Sequence, residues 1–204
     1  MKRKTRTILL LISILLASTM LFFAVRLLLR QIETERRMKE YPVYYEALIQ
    51  KQAESYGLDP YLVLSIMRCE SSFDADALSP VGAMGLMQVM PDTGAWIAHK
   101  LEEEPFDSQI LYDPDTNIRY GCWYLSFLNR RLNGNLTAMI AGYNAGHGIV
   151  EDWLEDPAYT EQGDLKTIPY PETERYVKKV YQAMDAYHSL YPDLFSGIED
   201  AIKP

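Results

Sequence analysis

The sequence predicts an all-α domain preceded by a single N-terminal transmembrane helix. The alternation of apolar and polar residues that is typical of strands is nearly absent. Helix start signals recur instead: Asp59-Pro60 and Asp113-Pro114 each provide a good N-cap followed by proline at the first helical position. Near the N-terminus, residues 7–25 form an uncharged, largely apolar run, long enough to span a bilayer as a helix.

This N-terminal run predicts an uncleaved signal anchor. It is longer than an ordinary signal-peptide core and no small-residue cleavage site follows it, although a cleaved signal peptide is the alternative. The densest basic cluster precedes the run, which favours a cytoplasmic N-terminus and an extracytoplasmic domain at the cell membrane. We therefore expect a cytoplasmic basic end and transmembrane signal anchor over 1–29, a stalk over 30–42, the helical domain over 43–190 and a C-terminal tail over 191–204.

Seven helices are expected after the anchor. Gly57 and Gly134 stand where helices end. Asn135 matches a glycosylation sequon, but its position favours an N-cap. Loops separate the helices over 74–90, rich in small residues, and over about 156–171, which is polar. The predicted helices cover residues 43–56, 60–71, 91–101, 114–132, 136–144, 147–155 and 172–190.

Charge and cysteine content argue against two classes of function. The chain carries a net charge of −8; residues 1–40 hold nine Lys or Arg and three Glu, or +6, so the remainder carries −14. Such an acidic domain argues against nucleic acid as a partner and fits a neutral, sugar-like one better. The two cysteines and three histidines lack the spacing of metal ligands, so we expect no metal and no cofactor.

Four short motifs stand in the helical domain, and they occur as CESSF at 69–73, GLMQVMP at 85–91, AGYNAG at 141–146 and PETERYV at 171–177. In this order they resemble the motif set of the soluble-lytic-transglycosylase-like (SLT domain) family of peptidoglycan lytic transglycosylases, which has a lysozyme-like fold. The resemblance covers roughly residues 43–190. Gly142 departs from the family pattern, which usually has alanine at that place.

The resemblance implies a membrane-anchored enzyme that cleaves the β-1,4 bond between MurNAc and GlcNAc in peptidoglycan glycan strands. Glu70 is then the catalytic acid and base, and the C6 hydroxyl of MurNAc attacks the anomeric carbon to leave a 1,6-anhydro end. Two alternatives stay open: a hydrolytic muramidase of the same fold, and a non-catalytic glycan-binding scaffold in an envelope assembly. The sequence identifies no protein partner.

The residues around Glu70 allow two interpretations. The preceding predicted helix is apolar on one side, and a carboxyl in an apolar cleft wall has a raised pKa and can act as a general acid. On spacing alone, a solvated residue near a helix end is the simpler interpretation, and the four motifs favour the acid. Glycosidases usually use two carboxylates. The nearest acids in sequence, Asp74, Asp76 and Asp92, each suit a turn or a helix start better.

Seven further residues are implied to contact the substrate, and several have a plain structural alternative. Ser71 could simply end its helix, and Met87 could pack in the core. The Gln88 amide can donate to and accept from an N-acetyl sugar, or stabilise its own loop. Tyr143 offers a ring for a sugar face and a hydroxyl for a hydrogen bond. The seven are Ser71, Met87, Gln88, Tyr143, Asn144, Glu172 and Tyr176.

The two cysteines are candidates for a disulfide. Cys69 directly precedes Glu70, and Cys122 lies on the long helix predicted over 114–132. In lysozyme-like folds the acid-bearing helix packs among the others, and an extracytoplasmic domain permits a disulfide. The alternative is two buried free thiols.

Overall fold

The structure, a computed structural model, describes residues 2–196, and the chain divides after Pro42 into two compact units. The first unit is helix α1, Lys2–Glu40, which continues without a break through most of the segment predicted as a stalk. From Thr7 onward this helix is long and apolar enough to cross a membrane, a test that a signal sequence passes as well.

The second unit is mostly helical, as predicted, and all seven expected helices are present. A short 3-10 helix, Ser108–Tyr112, and an antiparallel two-stranded hairpin, β1 (Thr160–Glu161) and β2 (Asp164–Leu165), were not predicted. The helices are α2 (Glu46–Tyr56), α3 (Pro60–Ser71), α4 (Pro91–Lys100), α5 (Pro114–Arg131), α6 (Leu136–Ala145), α7 (His147–Glu155) and α8 (Pro171–Leu190).

The helix ends follow the capping signals in the sequence. The Asp59 side chain accepts a hydrogen bond from the Tyr61 N–H (2.8 Å). Asp113 caps α5 and Asn135 caps α6 in the same way. Asn135 also donates from Nδ2 to the Asp164 carboxylate (2.6 Å), so the cap residue of α6 holds the hairpin against that helix.

Helix α3 is the central element of the second unit. Seven consecutive residues, 61–67, are buried, because α3 is covered by α2 on one side and α8 on another. Burial of so much apolar surface fixes the position of α3. Its last turn carries Glu70 and lies against the first half of α8, which places the first and fourth motifs together.

Candidate active site

Glu70 is the residue before the last in α3 and is half-buried. The Tyr176 hydroxyl, on the second turn of α8, donates a hydrogen bond to Glu70 Oε1 at 2.6 Å. The two residues are far apart in sequence and meet because α3 packs on α8. The structure therefore brings the first predicted motif into contact with the fourth.

Burial sets the protonation state of this pair. Desolvation raises the pKa of the Glu70 carboxyl to about 7, and the hydrogen bond from Tyr176 partly offsets that rise. Burial and the nearby Glu70 together hold the pKa of Tyr176 well above its ordinary value, so Tyr176 stays neutral and donates. Around neutral pH a large share of Glu70 carries the proton that a general acid must give.

A loop over residues 84–88, here called the carbonyl loop, connects three of the four motifs. Three successive main-chain oxygens of this loop, those of residues 85–87, each accept a hydrogen bond from a predicted site residue. The three bonds are Gln88 Nε2 to the Gly85 oxygen (2.9 Å), Ser71 Oγ to the Leu86 oxygen (2.8 Å) and Tyr143 OH to the Met87 oxygen (2.8 Å). Helix α3 and helix α6 are thus both tied to one short stretch of backbone.

Asn117, on α5, holds the carbonyl loop from inside the domain. Its fully buried side chain accepts from the Met87 N–H at 2.7 Å and donates to the Met84 and Leu111 carbonyls at 2.9 and 2.6 Å. Sequence reasoning missed this residue. The available signal was its spacing, since Asn117 shares the buried face of α5 with Gly121 and Leu125.

Two glycines let the carbonyl loop approach its supports. Gly85 has a left-handed backbone (φ +73°), and a Cβ there would lie 2.3 Å from the Leu111 carbonyl oxygen. A Cβ on Gly121 would lie 2.2 Å from the Met87 sulfur. The Met87 side chain is fully buried in this contact, so the expected side-chain contact with substrate is replaced by core packing, because Gly121 provides space for it.

Gln88 and Tyr143 line a cleft of about 200 Å³. Gln88 is half-buried with a left-handed backbone (φ 49°), and its Nε2 donates to the Ala77 and Gly85 carbonyls, so the amide stabilises its own loop while facing the cleft. Tyr124 on α5 also lines the cleft, with its ring 5.6 Å from that of Tyr143. No sequence pattern singles out Tyr124 among the fifteen tyrosines.

Asn144 and Glu172 lie at the edge of this arrangement. Asn144 is exposed, lines the same cleft and accepts from the Thr173 hydroxyl at 2.8 Å. Glu172 is exposed in the first turn of α8, where a carboxylate is favourable, and within residues 2–196 it makes no hydrogen bond to Glu70. The structure thus brings together every predicted site residue except Glu172.

The other carboxylates that are close to Glu70 in sequence lie in a turn or at the start of a helix. Asp74 is exposed and accepts from the Asp76 N–H at 3.0 Å, which closes a turn. Asp92 is exposed in the first turn of α4. Among the described residues, no group of three or more His, Cys, Asp or Glu could hold a metal ion.

In the structure Cys69 and Cys122 are both free thiols, which is the alternative to the possible disulfide. Cys122 is fully buried on α5, and burial raises its pKa well above the ordinary value. Burial also raises the pKa of Cys69, to about 11. Neither thiol is activated as a nucleophile, since reactive thiols have lowered pKa values.

Comparison with known proteins gives a consistent result. Residues 47–164 match the family described as "Transglycosylase SLT domain". The chain is 33% identical over 168 residues to the soluble lytic murein transglycosylase of Escherichia coli K12, which covers 79% of this chain and 26% of the relative. It is 33% identical over 179 residues to membrane-bound lytic murein transglycosylase C of Haemophilus influenzae Rd, which covers 83% of this chain and 46% of the relative. The chain therefore spans about a quarter to a half of the length of these relatives.

Solved structures share the fold. The 70 kDa soluble lytic transglycosylase from Escherichia coli superimposes with a TM-score of 0.69 at 31% identity, over 75% of this chain and 25% of that chain. An inactive mutant of lytic transglycosylase Slt from Pseudomonas aeruginosa gives a TM-score of 0.66 at 37% identity, over 73% and 24%. The expected lysozyme-like SLT fold is thereby confirmed.

Proposed function

Because the chain belongs to the transglycosylase SLT domain family, we propose that it is a lytic transglycosylase that cleaves peptidoglycan glycan strands, with Glu70 as general acid and then base. The observation that carries this proposal is the half-buried Glu70, whose pKa of about 7 leaves a proton available at neutral pH. The names of the relatives, soluble and membrane-bound lytic murein transglycosylases, support the same substrate.

In the first step, protonated Glu70 gives its proton to the oxygen that links MurNAc to GlcNAc, and the bond between that oxygen and the anomeric carbon breaks. The Tyr176 hydroxyl is bonded to Oε1. It therefore holds one carboxyl oxygen and leaves the other to face the glycosidic bond. Removal of water from around the carboxyl by burial is what keeps the acid protonated.

In the second step, the C6 hydroxyl oxygen of MurNAc bonds to the anomeric carbon, and its proton passes to the Glu70 carboxylate. The acid is regenerated, no water is consumed and the strand ends in a 1,6-anhydro sugar. The exposed turn and helix-start positions of Asp74 and Asp92 support this single-carboxylate route, because a hydrolase would need a second carboxylate to activate water.

The predicted site residues divide into two roles in this proposal. Gln88, Tyr143 and Asn144 contact the sugar from the cleft, and Glu172 contacts the strand from its exposed place in the first turn of α8. Three others act indirectly, through Glu70 or the carbonyl loop, and these are Ser71, Met87 and Tyr176.

For the N-terminal unit we propose an uncleaved anchor over 1–29, followed by a stalk over 30–42, with the domain of 43–190 on the extracytoplasmic side of the cell membrane and a tail over 191–204. The length and composition of α1 support a membrane span. Sequencing the N-terminus of protein taken from membranes tests the anchor. An intact start supports it, and a start beyond residue 25 shows a cleaved signal peptide.

Digestion of purified peptidoglycan tests the activity. We expect the full chain to release products with 1,6-anhydro ends, each lighter by one water than the hydrolysis product. Glu70→Gln is expected to abolish release, since glutamine has no proton to give. The matched control is Glu155→Gln, which changes an exposed carboxylate at the end of α7 and should leave activity unchanged.

Three outcomes contradict the proposal in different ways. Products with ordinary reducing ends indicate the hydrolytic muramidase. Full activity of Glu70→Gln removes the acid assignment. Binding to peptidoglycan without cleavage by the unmodified chain indicates a glycan-binding scaffold.

A further inference from the structure

A second cavity, of about 430 Å³, lies beside the end of α3. It is here called the tyrosine pocket, and it shares no lining residue with the cleft of Gln88 and Tyr143. Its lining consists of Tyr44, Tyr45, Ser72, Phe73 and Asp74.

The tyrosine pocket begins where the acid-bearing helix ends. Ser72 follows Glu70 by two residues, so their Cα atoms lie within about 7.6 Å of each other. The backbone turns sharply there, because Ser72 (φ 52°) and Phe73 (φ 68°) are both left-handed. Non-glycine residues rarely adopt this conformation. The turn directs the next residues of the chain into the wall of the pocket.

Tyr44 contributes a largely exposed aromatic ring to this pocket. Its ring contacts Phe73 edge-to-face, with centroids 5.4 Å apart, while 54% of the residue stays exposed. Phe73 itself is buried, and its ring packs against that of Tyr44. An aromatic ring that packs on a buried neighbour and stays more than half exposed suits contact with the apolar face of a ring-shaped ligand.

The polar groups of the pocket indicate the chemistry of that ligand. Ser72 and Asp74 are exposed and offer a hydroxyl and a carboxylate, and among residues 2–196 no Lys or Arg lines the pocket. A phosphate or carboxylate ligand would need a cation there. A neutral ligand with several hydroxyl groups satisfies both the ring and the acceptors.

We propose that the tyrosine pocket binds a sugar unit of the same glycan strand that Glu70 cleaves, with the sugar stacked on Tyr44 and its hydroxyls donating to Asp74. This inference rests on the proposed function, because it takes the strand as the substrate. A polymer cut at Glu70 extends beyond the scissile bond on both sides. The cleft of Gln88 and the tyrosine pocket, both near Glu70, provide two separate places for sugars of one strand.

Binding in the absence of cleavage tests the pocket. The full chain carrying Glu70→Gln is purified in detergent, and its affinity for glycan strands freed of their peptide stems is measured. Adding Tyr44→Ala is expected to weaken binding about fivefold, the change given by losing an aromatic contact worth about 1 kcal/mol. Adding Tyr44→Phe keeps the ring and should leave the affinity within about twofold.

Tyr170→Ala is the matched control. Tyr170 is 49% exposed and also meets another ring edge-to-face, that of Trp153, but it lies outside the pocket. An equal loss of affinity in this control, or none in Tyr44→Ala, overturns the proposal. A loss seen only with strands that keep their peptide stems also overturns it, since the occupant would then be peptide.

The same variants distinguish failure of the pocket proposal from failure of the proposed function. Cleavage that persists in Glu70→Gln contradicts the acid assignment, whatever Tyr44 does. Loss of cleavage in Glu70→Gln, together with unchanged binding in Tyr44→Ala, contradicts only the pocket.

Discussion

Replacing Glu70 by glutamine removes the charge of the carboxylate but keeps a side chain of nearly the same shape. The variant should therefore be more stable than the unmodified chain at any pH at which the carboxyl of residue 70 is ionised in the unfolded chain. Tyr176 can still donate to the amide oxygen, so its hydrogen bond is kept. The expected gain in stability depends on pH, and the dependence follows from the raised pKa.

The magnitude comes from the pKa of Glu70, raised by burial from an ordinary 4.5 to about 7. Each pKa unit corresponds to about 1.4 kcal/mol, so ionising this carboxyl costs about 3 kcal/mol more in the folded chain than in the unfolded chain. Below pH 4.5 the folded and unfolded chains are both protonated, and glutamine brings no gain. As pH rises towards 7, the unfolded chain loses the proton that the folded chain keeps, so the advantage of the variant grows. Above pH 7 it is constant.

Denaturant unfolding of both full chains at about pH 4 and about pH 8 measures this difference. We expect equal free energies of unfolding at the lower pH and a gain of about 3 kcal/mol for Glu70→Gln at the higher one, with a rise in Tm of about 10 °C. Glu155→Gln, which changes an exposed carboxylate, should show no gain at either pH. A gain in Glu70→Gln that does not change with pH would refute the raised pKa, and with it the physical basis of the acid.

Two further predictions concern residues that support Glu70. Tyr176→Phe removes the hydrogen bond that lowers the pKa of Glu70, so the loss of activity at high pH should move upward by about one pH unit in a pH–rate profile; an unchanged profile contradicts this. Asn117→Ala removes the hydrogen-bond partner of the Met87 N–H and of the Leu111 carbonyl, while the Met84 carbonyl still accepts from the Val89 N–H. Leaving these two buried backbone groups unpaired should lower the free energy of unfolding by about 3 kcal/mol, against about 1 kcal/mol for loss of the helix cap in Asn135→Ala. Equal losses by denaturant unfolding would show that Asn117 does not hold the carbonyl loop.

The helices were predictable because their signals are local. Asp59, Asp113 and Asn135 each accept a hydrogen bond from the first turn of the helix that follows, so the residue type fixes the boundary. The hairpin at 160–165 was missed for the opposite reason. Each of its strands has two residues, and Asp164 is held by a contact with Asn135, far away in sequence.

The site was predictable as a set of residues but not as a set of contacts. Motif order singled out Ser71 and Tyr143, yet nothing in the sequence shows that both donate to main-chain oxygens of the carbonyl loop. Met87 was expected at the substrate and instead fills the space left by Gly121. Asn117 was missed because its partners are backbone atoms of a loop distant in sequence.

The use of main-chain oxygens in the carbonyl loop has a consequence for how this domain tolerates mutation. A substitution can delete a donor such as Ser71 or Tyr143, but none can delete an acceptor that belongs to the backbone. A carbonyl oxygen that loses its donor keeps two lone pairs and can accept a hydrogen bond from a water molecule instead. Each single loss should then weaken the hold on the carbonyl loop only in part. Related sequences can therefore replace one donor at a time while the backbone beside Glu70 keeps its path.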